Sequence, residues 1–399
     1  MQIVFLGLVF LVIIGLLALK RPLYQSILGG LLAAAALYRI PPLDFLRQGA
    51  AVFTHWSSLS VIVSLYLITY LQQMLEARRQ IQLAQQDLNG LFHNRLVNAT
   101  VAPLFIGLLP SAGAMILCGG MVKDATDGYL KPADQAFVAS WYRHIPESTL
   151  PTYTGVLLMS SLSGVALSEF VPGMLIPIGV LALLGYWPTL RRLPRDPGTP
   201  VSQNRRGDAL RLLKHLWTLV AILALILILN LPVVPAVALV VAAAAIVYRF
   251  SPRDLGKMVF RAFEVNLMLN TFLMLTLKEV VAYTGVLEQL PAVLSQLPIP
   301  TYVVFALVFF LGGVISGTNG VIAMGTPLAF AALPGGMPLM VLLMCMCHAA
   351  SQVSPTHLCL AISAEYFHVS LGELIRKTLP RALLFCGLML GYYQLLMLL

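Results

Sequence analysis

The sequence predicts an all-α membrane protein with ten transmembrane helices and two re-entrant helical hairpins, arranged as an inverted repeat of five plus five spans. Three observations predict this fold class. Of the 399 residues, 59% are hydrophobic and only 10% are charged, whereas a soluble domain is about one-quarter charged. The basic residues fall mainly on one side of the predicted membrane. Similar segments also recur in the two halves of the chain.

The net charge of +9 has a different meaning in a membrane protein than in a soluble one. In a soluble protein it would indicate nucleic acid, but in a membrane protein it indicates cytoplasmic loops rich in Lys and Arg. We therefore expect no nucleic-acid partner. The first apolar run, 2–19, has no basic segment before it and no small-residue cleavage site, so we expect a retained helix rather than a signal peptide.

Ten stretches are long and apolar enough to cross a bilayer, which needs about 20 helical residues. These stretches are 2–19, 23–37, 57–74, 136–162, 170–190, 213–230, 232–248, 262–277, 338–367 and 379–398. Two of them, 136–162 and 338–367, contain His, Ser, Thr and Pro near their middles and are predicted to be broken spans. Two further stretches, 95–123 and 300–333, are divided by small and polar residues into short arms, which predicts re-entrant hairpins.

The basic residues predict the orientation of these spans. With the N-terminus outside and both hairpins entering and leaving on one side, 21 of the 25 Lys and Arg residues lie on the cytoplasmic side. Arg39, Arg47 and Lys278 lie outside, and Arg143 lies within a span. This asymmetry is typical of membrane proteins, whose cytoplasmic loops are basic. We expect a multi-pass protein of the cytoplasmic membrane with both termini outside.

Matched segments indicate an internal repeat. The hairpin tip at 110–113 corresponds to that at 316–320, and the interrupted span at 144–149 corresponds to that at 351–357; both recur after about 205 to 210 residues. The predicted division is a first repeat at 1–190, a cytoplasmic linker at 191–212 and a second repeat at 213–399. Because each repeat has an odd number of spans, the second is inverted, as in many secondary transporters.

The hairpin tips and broken spans are the predicted binding site. Unwound backbone carbonyls with nearby hydroxyls or amides bind small cations, and helix N-termini attract anions. The candidate residues are Ser111, Gly113, Arg143, His144, Glu147, Ser148, Thr149, Ser316, Gly317, Thr318, Asn319, Gly320, Ser351, Ser354, Thr356 and His357. Na⁺ is a candidate ligand at Ser111, Thr318 and Asn319. Otherwise we expect no metal and no cofactor, only a coupling ion, Na⁺ or H⁺.

Charged residues within a span are costly and therefore informative. Arg143 and Glu147 are four residues apart, so they form a structural ion pair, or else Arg143 attracts an anionic substrate while Glu147 couples a cation or proton. His144 and His357 occupy similar places in the two halves, where each either carries a proton or only hydrogen-bonds. His348 follows two cysteines, but residues two apart on a helix do not share a face, so no metal site is predicted there.

The sequence lacks the motifs of several enzyme classes. It contains no H-E-x-x-H, no G-x-S-x-G and no P-loop, so neither a zinc protease, nor a serine hydrolase of that type, nor an ATP-driven pump is expected. The chain is predicted not to be an enzyme. An intramembrane enzyme or a receptor-like binding protein remains as a third class.

Three segments, 109–114, 312–320 and 354–360, resemble those of a prokaryotic integral-membrane family known only as a domain of unknown function. The resemblance covers nearly the whole chain. That family is grouped with the ion transporter superfamily, which includes gluconate permeases, divalent-anion/sodium symporters, citrate carriers and some sodium/proton antiporters. The resemblance implies a homodimer whose protomers each have a scaffold domain and a transport domain that moves as an elevator. It also matches Ser316, Thr318 and Asn319 to a hairpin tip that binds sodium and carboxylate.

The predicted function is secondary active transport of a small organic anion, a carboxylate, coupled to Na⁺ or H⁺. The predicted partners are that anion, the coupling cation, the lipid bilayer and a second copy of the chain. The alternative is a cation/proton antiporter in which Glu147 and a histidine exchange protons for sodium and no organic solute moves.

Overall fold

The chain forms helices joined by short loops in the computed structural model, which describes residues 2–88, 91–92, 94–107, 113–191, 193–196, 202–296 and 298–398. Within these ranges there is no β-strand, so the predicted all-α class is confirmed. The physical reason is that a helix satisfies its backbone hydrogen bonds within itself, as a segment surrounded by hydrocarbon must.

The first half contains eleven helices within the described ranges. They are α1 (Gln2–Ala18), α2 (Leu23–Leu37), α3 (Pro42–Thr54), α4 (Trp56–Ala77), α5 (Gln80–Leu88), α6 (Arg95–Gly107), α7 (Gly113–Thr126), α8 (Pro132–His144), α9 (Thr154–Ser163), α10 (Leu167–Gly173) and α11 (Leu175–Gly185). A 3₁₀ turn, Pro146–Ser148, lies between α8 and α9, and a π-helical turn, Tyr186–Leu190, follows α11.

The second half follows a similar order. Its helices are α12 (Arg205–Leu227), α13 (Val233–Val247), α14 (Pro252–Arg261), α15 (Val265–Tyr283), α16 (Leu290–Leu294), α17 (Thr301–Ser316), α18 (Thr318–Ala332), α19 (Met337–Ser351), α20 (Leu358–Tyr366) and α21 (Leu371–Leu398). A 3₁₀ turn, Val286–Gln289, precedes α16. Corresponding helices also begin alike: α3 and α14 both start with a proline, which fits the first helical turn because that turn needs no N–H bond.

Five helical stretches in the described ranges are long and apolar enough to cross a membrane: α4, α10 with α11, α12, α15 and α21. Several shorter apolar helices of 10–17 residues, including α1, α2, α13, α17 and α19, accompany them. The chain is thus a multi-pass membrane protein.

The two halves pack against each other reciprocally. Helix α4 packs on α13 while α15 packs on α2, and α9 packs on α18 while α20 packs on α7. The hairpin helices also pair within each half, α6 with α7 and α17 with α18. Such an exchange of equivalent contacts is what a two-fold relation between the halves produces. The orientation of each half relative to the membrane remains a prediction.

Helices α8 and α19 form the centre of the fold. Almost every side chain from Ala133 to His144 is buried, and so is every one from Leu339 to Ser351. A helix that is buried on all sides belongs to the interior of a large protein. Both helices end at the middle of the fold, where α8 presents His144 and α19 presents His348 in its last turn.

The described ion pairs outside the centre join residues that the basic-residue distribution assigns to the same membrane side. The pairs assigned to the cytoplasmic side are Arg95–Asp196, Arg211–Asp87, Arg211–Asp208, His215–Asp87 and Lys377–Asp134, and those assigned to the outer side are Arg47–Asp44, His55–Glu279 and Lys278–Glu279. These described ion pairs therefore agree with the predicted assignment of residues to the two sides.

Gly107, the last residue of α6, allows that helix to approach the end of α8. A Cβ atom at position 107 would lie 2.2 Å from the carbonyl oxygen of Arg143. Gly107→Ala must therefore separate the two backbones, and we expect it to destabilise the fold by about 1–3 kcal/mol, the usual cost of overpacking a core. Thermal unfolding of the detergent-solubilised protein measures this change as a lower melting temperature.

Gly391→Ala is the matched control, because position 391 lies within α21 and a Cβ there would meet no atom within 4 Å. Alanine is the better helix former by about 1 kcal/mol, so this variant should melt at or above the wild-type temperature. Equal melting temperatures for the two variants would contradict the close approach of α6 and α8.

Candidate functional site

Two helix interruptions face each other at the centre of the fold. The first separates α8 from α9 and the second separates α19 from α20. The first gap contains Pro146 and Pro151 and the second contains Pro355, and proline has no backbone N–H to continue a helix. The interruptions leave free carbonyls at the ends of α8 and α19 and free N–H groups at the starts of α9 and α20.

A polar cavity of about 130 Å³ lies between the first interruption, the start of α18 and the end of α19. Its described lining residues are Glu147, Ser148, Tyr153, Thr154, Gly155, Thr318, Asn319, Ile322, Met344, Cys347, His348 and Ser351. The lining includes the first two residues of α9 and the first two of α18. The N-termini of two helices, which carry partial positive charge, therefore meet at one cavity.

The turn between α17 and α18 brings the start of α18 to the cavity. Gly317 has φ 78° and ψ 157°, a backbone conformation that is essentially restricted to glycine. The approach of α9 to α18 also needs a glycine, since a Cβ at Gly155 would lie 3.3 Å from Oδ1 of Asn319. Gly317, between α17 and α18, and Gly155, at the start of α9, thus allow the N-termini of α9 and α18 to lie close together.

Two hydrogen bonds cross between the halves beside the cavity. Nε2 of His144, at the end of α8, is 2.9 Å from Nε2 of His357 in the second interruption. Oγ of Ser148, in the first interruption, is 3.0 Å from Nδ1 of His348 at the end of α19. Each interruption is thus hydrogen-bonded to the C-terminal turn of the buried helix in the opposite half. Both bonds involve histidine: His144 and His357 in the first, and His348 in the second.

Glu147 connects the cavity with the histidines. One of its carboxylate oxygens, Oε2, is 3.3 Å from Nη1 of Arg143 and 3.7 Å from Nε2 of His144. The Arg143 side chain is only 4% exposed, whereas that of Glu147 is 28% exposed and lines the cavity. The predicted pairing of Arg143 with Glu147 is therefore present. In the described part of the cavity wall, Glu147 is the one charged residue.

Cys359 completes a cluster with the two paired histidines. Donor atoms of His144, His357 and Cys359 all lie within 4.8 Å of one another, a spacing that could hold a metal ion. The guanidinium of Arg143 is 3.5 Å from Sγ of Cys359, however, and a fixed positive charge opposes a second cation. These three are the described residues with metal-site spacing.

The structure brings together some of the predicted site residues. Five line the cavity: Glu147, Ser148, Thr318, Asn319 and Ser351. Three more, Arg143, His144 and His357, form the adjoining cluster. These eight residues come from both halves and surround one location.

Several other predicted site residues form hydrogen bonds with backbone carbonyls and are not among the described lining residues of the cavity. The hydroxyls of Thr149, Ser354 and Ser316 donate to the carbonyls of Ile145, Val314 and Gly312, and Thr356 pairs with Ser354. Gly320 packs near Ser316 and Leu23. Gly113 is the first residue of α7. Ser111 lies outside the described residues.

The sequence reasoning missed several residues of this site. Tyr153, Thr154 and Gly155 line the cavity, and their position just after a proline-interrupted segment is a signal for a helix start. His348 was considered only with its neighbouring cysteines, whereas its partner Ser148 is 200 residues away. No sequence pattern indicates that contact.

The fold and this cavity define a class: a multi-pass helical membrane protein with a polar site between two interrupted helices. More particularly, the chain belongs to the family described as "Protein of unknown function (DUF401)", whose model matches residues 5–398. This match confirms the resemblance to a family of unknown function. No curated protein matches the sequence.

A solved structure, the YdaH transporter of Alcanivorax borkumensis, is similar to this chain. The two share 15% sequence identity, the match covers 89% of this chain and 88% of that one, and the TM-score is 0.47. A likeness at this level bears on neither substrate nor mechanism.

The cavity predicts different reactivity for two cysteines of α19. Cys347 lines the cavity, whereas Cys345 contacts the sulfur of Met174 in the apolar interior. In variants that each retain one of these cysteines, methyl methanethiosulfonate should modify Cys347 faster, since thiol reagents need access to the sulfur. Mass spectrometry of the folded protein measures the rates, and faster modification of Cys345 would contradict the cavity.

Proposed function

We propose that the protein is a secondary active transporter that moves a small organic anion, a carboxylate. The observation that carries this proposal is the convergence of the N-termini of α9 and α18 on one polar cavity between two interrupted helices. Interrupted helices of this kind bind solutes in secondary transporters, with helix N-termini directed at anionic groups.

The side chains of the cavity suit a carboxylate. Thr154 and Thr318 place hydroxyls beside the free N–H groups of α9 and α18, and Asn319 adds an amide. Ser148, in the first interruption, and Ser351, the last residue of α19, also line the cavity, and their hydroxyls bond His348, at its ring and at its carbonyl respectively. The volume of about 130 Å³ is below the roughly 300–1,000 Å³ of sites for drug-sized ligands, so we propose a small solute.

Transport of an anion into this cavity needs a coupling cation. The sequence has no P-loop, so the energy comes from an ion gradient. The Glu147 carboxylate lies in the cavity wall, whereas its partner Arg143 is not among the described lining residues. An entering anion therefore meets the carboxylate first and is repelled by it, although the pair as a whole has no net charge. A bound Na⁺ or H⁺ offsets that repulsion, and this links the two fluxes.

The proposed arrangement follows the repeat and the charge distribution. The protein lies in the cytoplasmic membrane as a homodimer, with both termini outside, and one domain of each protomer carries the site across the membrane as an elevator. The reciprocal packing of the halves supports the repeat. Each of the described ion pairs outside the centre joins residues assigned to the same side, which supports the assignment of sides.

A cation/proton antiporter is the second candidate. One observation favours it: the described lining of the cavity contains the carboxylate of Glu147 and no Lys or Arg. In this mechanism Na⁺ displaces a proton from Glu147 or a neighbouring histidine, and no organic solute moves.

The transport proposal predicts gradient-driven uptake of labelled carboxylates into proteoliposomes. Thr318→Val keeps the side-chain shape but removes a hydroxyl from the cavity wall, so uptake of the preferred carboxylate should fall about tenfold, as for the loss of one hydrogen bond to a charged group. The matched control is Thr276→Val, since the Thr276 hydroxyl bonds the Phe272 carbonyl of its own helix, α15. Absence of uptake across a panel of carboxylates would contradict the proposal.

The antiporter candidate makes the opposite prediction. Addition of Na⁺ to proteoliposomes that contain no organic ligand should release protons, measured with an internal pH dye, and Glu147→Gln should abolish the release. Glu169→Gln is the control, because Glu169 lies in the first turn of α10, outside the described cavity wall. Carboxylate uptake in wild type without Na⁺-driven proton release would exclude the antiporter.

A further inference from the structure

We infer that the coupling ion is a proton, that the His144–His357 pair binds it, and that the solute is a monocarboxylate. This inference rests on the proposed transport function and deepens it by naming the coupling ion and the charge of the substrate. The geometry of the pair and the charges around it support it.

The hydrogen bonds of the pair fix its protonation. Nδ1 of His144 is 2.5 Å from the carbonyl oxygen of Ser140, and a carbonyl only accepts, so the Nδ1 of His144 carries a hydrogen. In the neutral ring Nε2 of His144 then has a lone pair. The 2.9 Å contact between the two Nε2 atoms therefore requires that His357 donates its Nε2–H to His144.

One additional proton can bind without breaking this contact. In the neutral pair, the remaining lone pair is on Nδ1 of His357. Protonation there makes His357 an imidazolium that still donates its Nε2–H to His144. Protonation of His144 at Nε2 instead would place two N–H groups opposite each other. The pair thus has one site for an additional proton, Nδ1 of His357 in the second interruption. The hydrogen bond between the two Nε2 atoms connects this site to the first half.

The charges around the pair set the charge of the solute. The groups that face it are Arg143 and Glu147 from the first half, the thiol of Cys359 on α20 and the ring of His348 on α19. Arg143 and Glu147 cancel, so with neutral histidines the cluster has no net charge. A bound proton adds one positive charge next to Glu147. One monovalent anion in the cavity then restores neutrality, which a buried site favours.

The chemistry of the pair favours H⁺ over Na⁺. The free lone pair on Nδ1 of His357 is a nitrogen base that accepts a proton, whereas Na⁺, like other hard cations, prefers oxygen ligands. Glu147 is both in the cavity wall and 3.7 Å from Nε2 of His144, so the proton and the anion act on the same carboxylate. Binding of either one therefore strengthens binding of the other.

Proton uptake on ligand binding tests the pair directly. In weakly buffered detergent solution, binding of acetate, propionate or lactate should be accompanied by the uptake of one proton per site. As long as most of the free protein lacks the additional proton on the histidine pair, the affinity should rise about tenfold for each unit that the pH falls. Isothermal titration calorimetry between pH 6 and 8 measures the affinity. Binding with no proton uptake would overturn the inference.

His357→Gln tests the residue. The glutamine amide still donates to Nε2 of His144 but takes no proton, so this variant should fold, bind monocarboxylates and lose the pH dependence of affinity. The control His55→Gln changes a histidine whose side chain is 58% exposed and should keep that dependence. A pH-dependent affinity in His357→Gln equal to wild type would overturn the assignment to the pair.

Proteoliposomes separate this inference from the transport proposal. With K⁺ and valinomycin to clamp the potential, a pH gradient should drive monocarboxylate uptake that is independent of both potential and Na⁺. Uptake driven only by Na⁺, or a preference for dicarboxylates, would overturn the inference and leave transport intact. Proton-linked binding without any uptake would instead overturn transport. Stoichiometric Co²⁺ binding, lost in Cys359→Ser and His357→Gln, would replace the proton by a metal and overturn the inference.

Discussion

An interrupted helix in a membrane must find partners for its free backbone groups inside the protein, because hydrocarbon offers none. The rest of this structure depends on that constraint. Helices α8 and α19 end at the middle of the fold, and both are buried along most of their length. Each interruption is tied to the opposite half, by His144 to His357 and by Ser148 to His348. The two halves thereby form one structural unit, since each half completes the other.

The same constraint creates the site. When α8 stops at His144 and α9 restarts at Thr154, the free N–H groups of α9 lie opposite those of α18, whose start is set by the glycine at 317. A polar cavity forms between them. Glu147 lies in its wall and also contacts Arg143, so the cluster of ionisable groups and the cavity share one carboxylate. Two ligands that act on one buried charge are energetically coupled.

Part of the candidate site was predictable from the sequence. A spacing of four residues predicts that Arg143 and Glu147 pair, and they do, although α8 ends at His144 and Glu147 lies in the 3₁₀ turn that follows. The sequence predicts the serines and threonines beside the prolines as polar groups in apolar surroundings but does not predict their separate roles. The hydroxyls of Ser316, Ser354 and Ser351 all bond backbone carbonyls, and of these three only Ser351 is among the described lining residues of the cavity. A serine or threonine hydroxyl in a helix can bond a backbone carbonyl of the same helix. Whether the residue also lines a cavity depends on which other helices pack beside it, and the local sequence does not show this.

Hydrophobic length and basic asymmetry are properties of the chain read in order, so the amino-acid sequence is enough to predict a helical membrane protein with matched interruptions in its two halves. Which residues meet depends instead on the tertiary fold. The contact between His144 and His357 joins positions 213 residues apart, and that between Ser148 and His348 joins positions 200 apart. Such contacts depend on how helices of the two halves pack against each other. A local sequence pattern does not contain that information.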